Sequence, residues 1–487
     1  MKFPRIAAIV VVFSLCASWL AGCSSDGKET DKNAKSTLKV MFYDERSFYQ
    51  QYGMLFSALY PEIDIQVVST QNVAYEEGKD MKKAMQQFID EQKPDVLMLS
   101  SDEYTAKASE GKLYNLESFI KKDKYDLEGI VPGLVDYIKG LSDGVLYGLA
   151  PNFYSQAIYY NKDLFTKYGV TLPRDRMSWE ELLQLAARFP TTGSKEERVY
   201  GLKYGYQTQL YYFGMNIGLT QGLTYINAAA KQLMINSDSW KAVFETANKA
   251  IKSGTLYMED PNGMSSNGSS YEDYLLRDPF VGGKVAMVIE GNYMMDQIKE
   301  AQTRLKGKGK GIQNWDLVTM PVNLQKPDES TAMSVSQIFA IDANSANTEA
   351  AWKFISYING DNFARVTSKL QNGGFPVRTK YLDGGDEGRH MEAFYSLKPV
   401  QNNMYKDYDK LPEQFLMQFD GLTQQEMQGV SDGTKTVSEA LDNLQAKGQQ
   451  LLNEGDKGAS KKDAGSASSS AVTEQSGSVS ASAEVSN

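Results

Sequence analysis

The sequence predicts an α/β protein of two lobes, each a sheet flanked by helices. Three observations lead there. Short β-rich runs alternate with helical stretches through the body of the chain, the pattern of doubly wound sheets. That body, about residues 38 to 454, is too long for one ordinary core. Both ends differ from it sharply in composition.

Within the body, TLKVMFYD (37–44) reads as a strand, FYQQYGMLFSALYPE (48–62) as a helix and IDIQVVST (63–70) as a second strand. KDMKKAMQQFIDEQ (79–92) is helical, and PDVLMLSS (94–101) is a third strand, apolar enough to be buried on both faces. In such sheets ligands gather outside the carboxyl ends of the strands. In MSWEELLQLAARF, Ser178 and Glu181 form a capping box ahead of an apolar-periodic helix. Helices are further predicted over 236–254, 348–360 and 437–455, and strands over 283–291 and 315–322.

At the N-terminus, Lys2 and Arg5 precede an uncharged apolar run from Ile6 to Gly22. That is the layout of a secretory signal peptide, predicted over 1–22. LAGC at its end matches a bacterial lipobox, which marks Cys23 for lipidation and cleavage just before it. The other cysteine, Cys16, would leave with the signal. Two or more acyl chains hold a protein stably on a membrane, so a diacylglyceryl Cys23 is expected to tether the chain. Residues 23–37 read as a flexible leash, and 455–487, rich in Ser, Ala and Gly, as a disordered tail. The leash and tail point to the surface of a single-membrane cell. Losing residues 1–22 leaves 49 basic against 61 acidic residues, about −12. Such a balance argues against binding nucleic acid.

Four stretches in order resemble the extracellular solute-binding proteins of ABC importers, the family 1 carbohydrate type that includes maltodextrin-binding proteins. They are KPDVLMLSSDEYTAKASEGKLYNLESFI (93–120), DGVLYGLAPNFYSQAIYYNKDLFTKYGV (143–170), FVGGKVAMVIEGNYMM (280–295) and AWKFISYING (351–360). Two departures stand out: Tyr293, where many relatives have Trp, and the long polar loop 260–273. The resemblance implies a periplasmic-binding-protein-like fold of type II with a ligand cleft between the lobes. It places one lobe at 38–151 plus 329–376 and the other at 152–328 plus 377–454. It implies a monomer on the outer face of the cytoplasmic membrane that hands a carbohydrate, an oligosaccharide by expectation, to ABC permease subunits without cofactor or catalysis.

A sugar site needs hydroxyl-binding side chains and aromatic platforms. At strand ends the candidates are Asp44, Glu45 and Arg46, against a solvated turn, and Ser101 and Asp102, against a helix N-cap. Asn152 and Tyr154 lie in the presumed crossover, where hinge packing is the rival role. Tyr211, Tyr212 and Asn216 compete with a buried aromatic helix face. Glu290, Asn292 and Tyr293 form a carboxylate–aromatic cluster, and Arg378 is a cleft candidate or a surface charge. No metal is expected: an EF-hand started at Asp260 meets Met264, Ser265 and Tyr271 at its key positions, and His390 is the one histidine. Two rivals stay open. One is a binding protein for a polyamine, anion or peptide. The other is an exported glycoside hydrolase, which needs two carboxylates roughly 5 to 9.5 Å apart.

Overall fold

The structure is a computed structural model. It describes residues 36–73, 80–194, 198–205, 209–258, 270–369, 374–382, 388–402, 404, 408–412 and 414–462. The expected signal, Cys23, most of the leash, residues 259–269 of the polar loop and the tail from 463 lie outside these residues.

The first sheet has five strands, in the order Ile63–Ser69, Ser36–Phe42, Val96–Leu99, Ile338–Ile341, Gly148–Leu149. The first three run parallel, and Ile338–Ile341 is antiparallel to both its neighbours. Val96–Leu99 is buried at every position, as its unbroken apolar run requires. The second sheet orders Trp315–Val318, Ala157–Asn161, Val285–Glu290, Tyr200–Tyr204. Here Ala157–Asn161 is antiparallel to both its neighbours, and Val285–Glu290 is parallel to Tyr200–Tyr204. Alternate residues of Ala157–Asn161 serve opposite faces: Tyr159 joins one hydrophobic cluster, Ile158 and Tyr160 the other.

Local chemistry sets the helix starts. Ser178 and Glu181 make the predicted capping box at the head of Trp179–Ala186. Ser237 caps Asp238–Lys252, and Gly254 follows that helix at φ 70°, a conformation glycine adopts without strain. The single helix expected over 48–62 is instead Glu45–Phe48, a widened π-type turn Tyr49–Gly53, and Met54–Leu59. A Cβ on Gly53 would come within 2.6 Å of the Tyr49 ring and 2.8 Å of the Phe48 ring, so any larger residue would force those rings to move. Helix Phe415–Ser431, which the sequence reading did not predict, packs against the terminal helix Val437–Lys462. The terminal helix runs past Gly455, where disorder was expected to begin.

Three chain crossings join the lobes, and they are bonded to one another. Asn152–Phe153 pairs antiparallel with Phe375–Pro376, and the Phe153 and Phe375 rings stack at 5.3 Å. Tyr154 and Ser334 exchange two backbone hydrogen bonds, at 2.8 and 2.9 Å. Beyond Pro376, the expected lobe boundary, the chain still bonds to first-lobe residues. Val131 donates to the Val377 carbonyl, and Arg378 reaches Asp126 and Asn359. It meets the second sheet at Arg389 and His390, which bond to Trp315 and Asp316.

Candidate functional site

The strand directions bring the active edges of both sheets to the crossings. In the first lobe the carboxyl ends of Ser36–Phe42, Ile63–Ser69 and Val96–Leu99 lie beside the start of Ile338–Ile341. In the second lobe the carboxyl ends of Tyr200–Tyr204, Val285–Glu290 and Trp315–Val318 lie beside the start of Ala157–Asn161.

On the second-lobe edge is a small, partly open recess. Gln156, Tyr204 and Asn216 line it together with Trp179 and Thr220. The far side is Met320 and Pro321, with Ser330, Thr331 and Ala332 from the second crossing. The Trp179 indole donates to the Thr220 hydroxyl at 2.9 Å and meets the Tyr204 ring edge-on at 5.4 Å. Asn216 donates to the Tyr212 carbonyl at 2.8 Å, which fixes its amide against the wall. The lining holds no Asp, Glu, Lys or Arg among the described residues. It offers hydroxyls and amides between aromatic and apolar walls. Such a surface suits an uncharged, hydroxyl-rich solute, because an ion entering it would lose water without gaining a counter-charge.

Glu290 ends its strand beside Ala157, close to this recess. It is not the open carboxylate that the sequence suggests. It is 4% exposed, and Tyr293, 40% exposed, donates its hydroxyl to Oε2. Oε1 is buried without a hydrogen-bond partner. Burial pushes the Glu290 carboxyl above the ordinary carboxylate range, against the pull of the Tyr293 hydroxyl and of Lys203. Burial likewise pushes the Tyr204 phenol up, with the Glu290 charge adding to it. Lys203, beneath them, is paired to Asp278 at 2.5 Å. Asn292 stands at the head of helix Tyr293–Arg304 without a side-chain cap bond.

The other expected residues divide. Asp44 caps the short helix Glu45–Phe48: its carboxylate accepts from the Ser47 backbone and hydroxyl at 2.8 and 2.7 Å, which hold it below its ordinary range. Glu45 and Arg46 are exposed on that helix. Ser100, not Ser101 or Asp102, makes the capping box with Glu103, while Ser101 faces the Tyr137 phenol. Asp102 is exposed. Asn152 and Tyr154 do lie in the first crossing. Tyr211 and Tyr212 sit on helix Leu210–Thr220, where Tyr211 is buried and Tyr212 accepts from Gln424 at 3.0 Å. Of that trio only Asn216 lines the recess.

Arg378 is neither a cleft residue nor a surface charge. It is 3% exposed, and it donates to the Asn359 carbonyl at 2.8 Å and the Asp126 carbonyl at 2.7 Å, with Tyr125 under its guanidinium. The sequence reading missed Gln156, Trp179, Tyr204, Thr220, Met320 and Thr331. The strand-end rule that selected Asp44 finds Tyr204 when applied to Tyr200–Tyr204, and leads to Met320 when applied to Trp315–Val318. No group of three or more His, Cys, Asp or Glu suited to a metal occurs among the described residues.

Comparison with known proteins defines the class. The profile of the bacterial extracellular solute-binding protein family matches residues 31–361, and the chain belongs to that family. A protein named as a binding protein of Brucella abortus is 29% identical over 269 residues, 53% of this chain and 57% of that relative. The match thus spans little more than half the length of that relative. A stretch of 92 residues, 18% of this chain and 21% of the relative, is 29% identical to the sn-glycerol-3-phosphate-binding periplasmic protein of Rhizobium meliloti. Among solved structures, the family 1 extracellular solute-binding protein of Alicyclobacillus acidocaldarius aligns with TM-score 0.58 at 18% identity, covering 87% of this chain and all of that one. The sugar-binding protein MalE of Xanthomonas citri aligns with TM-score 0.58 at 16% identity, covering 88% and 100%. Both likenesses establish the two-lobed α/β fold. No helix among the described residues is long and apolar enough to cross a membrane.

Proposed function

We propose that this protein is a lipid-anchored receptor that captures an uncharged carbohydrate, an oligosaccharide, in the cleft between its lobes and delivers it to the permease of an ABC importer. It works as a monomer tethered through Cys23 to the outer face of the cytoplasmic membrane and performs no chemistry on its solute. The observation that carries the solute class is the recess lined by amides, hydroxyls and rings without a charged side chain. The distant solved neighbours named for sugars contribute the fold alone. The lining also weighs against the anion reading that the glycerol-phosphate relative raises, since a phosphate held there would have no cation. It weighs against a hydrolase as well, because no carboxylate lines the recess and Glu290 is already engaged by Tyr293.

Closure around a solute is favoured only as far as the solute binds the closed state better than the open one. Residues from the second crossing, Ser330 to Ala332, already form one wall of the recess. A solute seated there touches both a lobe and the hinge.

A thermal-shift panel tests the reading, because a ligand of the folded state raises the melting temperature. The panel holds maltose, maltotriose, raffinose, xylobiose, spermidine, glycerol 3-phosphate and a tripeptide. The expected result is a rise with at least one sugar and none with the charged solutes. A rise with spermidine, glycerol phosphate or peptide alone removes the carbohydrate assignment, and release of monosaccharide by the purified protein removes the binding-only role.

A further inference from the structure

We infer that Tyr52 is a positioning residue for the cleft, acting through the side-chain amides of Asn152 and Gln337. The inference rests on the carbohydrate reading above and names how the hinge side of that site reads a hydroxyl.

Tyr52 comes from the widened turn Tyr49–Gly53 and is buried, 2% exposed. Its ring is held edge-on by Phe42 at 5.8 Å and Phe339 at 5.2 Å, and it stacks on Phe363 at 5.6 Å. The hydroxyl stands between two chain crossings. It donates to Gln337 Oε1 at 2.7 Å, and Asn152 Nδ2 donates to it at 3.4 Å. Asn152 belongs to the first crossing, and Gln337 ends the second, just before strand Ile338–Ile341. These two residues are far apart in sequence, and the one phenol bonds to both.

A hydroxyl has one proton to give. The proton goes to the Gln337 carbonyl oxygen, so the group that Asn152 turns toward the phenol must be its NH₂. This fixes both amides. Gln337 is left with its NH₂ to offer, and Asn152 with its carbonyl oxygen. Both residues are half-buried, and neither remaining atom is among the fully buried atoms that lack a partner. One donor and one acceptor, carried on two crossings that share one phenol, match a sugar hydroxyl, which both gives and accepts. An ammonium would use only the acceptor, and a phosphate or carboxylate only the donor. Without the Tyr52 hydroxyl either amide can turn over, and the pattern is lost.

The test has a ligand-free arm and a binding arm. In ¹⁵N-labelled protein the side-chain NH₂ signals of Asn152 and Gln337 are assigned by their loss in Asn152→Asp and Gln337→Glu. Tyr52→Phe is expected to shift both signals and speed their exchange with water. Calorimetry then uses the panel sugar with the largest thermal shift, and Tyr52→Phe is expected to bind it about 5- to 10-fold more weakly. Gln337→Glu keeps an acceptor for Tyr52 but removes the donor, and it is expected to weaken binding at least as much. Unmoved amide signals overturn the inference even if affinity falls. Unchanged affinity in Tyr52→Phe or in Gln337→Glu overturns it even if the signals move. If no panel sugar binds, the carbohydrate reading fails separately. The calorimetry is then run with the charged solute that does bind, and unchanged affinity again overturns the role of Tyr52.

Discussion

Replacing Arg378 by methionine separates a structural arginine from a ligand-binding one. Methionine keeps much of the side-chain volume and removes the charge and the donors. The ion pair with Asp126 contributes little, since the Asp126 side chain is 62% exposed and exposed pairs are worth about 0–1 kcal/mol. The larger cost lies in the carbonyls. Asn359 is 1% exposed, and its carbonyl accepts from Arg378 Nε, while the Asp126 carbonyl accepts from Nη1. A buried acceptor left unsatisfied costs about 1–3 kcal/mol. With water able to reach the Asp126 side, the expected loss is roughly 2–4 kcal/mol. Urea denaturation followed by tryptophan fluorescence should show a lower midpoint. Trp352, T-shaped against Tyr125 at 5.3 Å, sits close enough to report the change. Affinity for the solute, measured below the unfolding range, should be unchanged. An unaltered midpoint with a large loss of affinity would refute the reasoning and return Arg378 to the cleft.

Two further outcomes are expected. The folded-state pKa of Glu290 lies above its unfolded value, so the folded chain holds that proton more tightly and loses stability as pH rises through the interval between the two. Glu290→Gln should therefore melt higher than the native protein at pH 7, with the difference vanishing below about pH 4. Melting curves that stay parallel across that range would exclude the assignment. In cells, Cys23→Ala should move the protein from the membrane fraction to the medium or soluble fraction with solute affinity intact, and persistent membrane association would exclude the lipid anchor.

Much of the architecture was legible because local signals and burial agree. The run Val96–Leu99 is apolar at every position, and the Ser178–Glu181 box stands directly ahead of an apolar periodic helix. The amphipathic stretch Asp238–Lys252 has both a cap and a glycine stop. What escaped was set by contacts distant in sequence. The turn at Tyr49–Gly53 arises from rings packing over a glycine, which periodicity does not register. Strand-end logic pointed to the carboxyl ends of the strands, but it could not show which side chains were already committed. Asp44 is bound to Ser47, Glu290 to Tyr293 and Arg378 to two carbonyls. Each of those commitments depends on a rotamer or on a partner that only the folded chain brings near. Trp179 opens the helix that Ser178 caps, and the fold turns the same residue into a wall of the recess.

The order of strands in the first sheet bears on how the chain reaches this state. Ile338–Ile341 lies between Val96–Leu99 and Gly148–Leu149, so a late segment fills a gap between two early ones. Until it arrives, both early strands present unpaired edges, and the first lobe cannot close its core. Pairings across such sequence distances fold slowly, since loop closure precedes any gain from contact. The five-stranded sheet therefore cannot be completed until the chain has been made past Ile341.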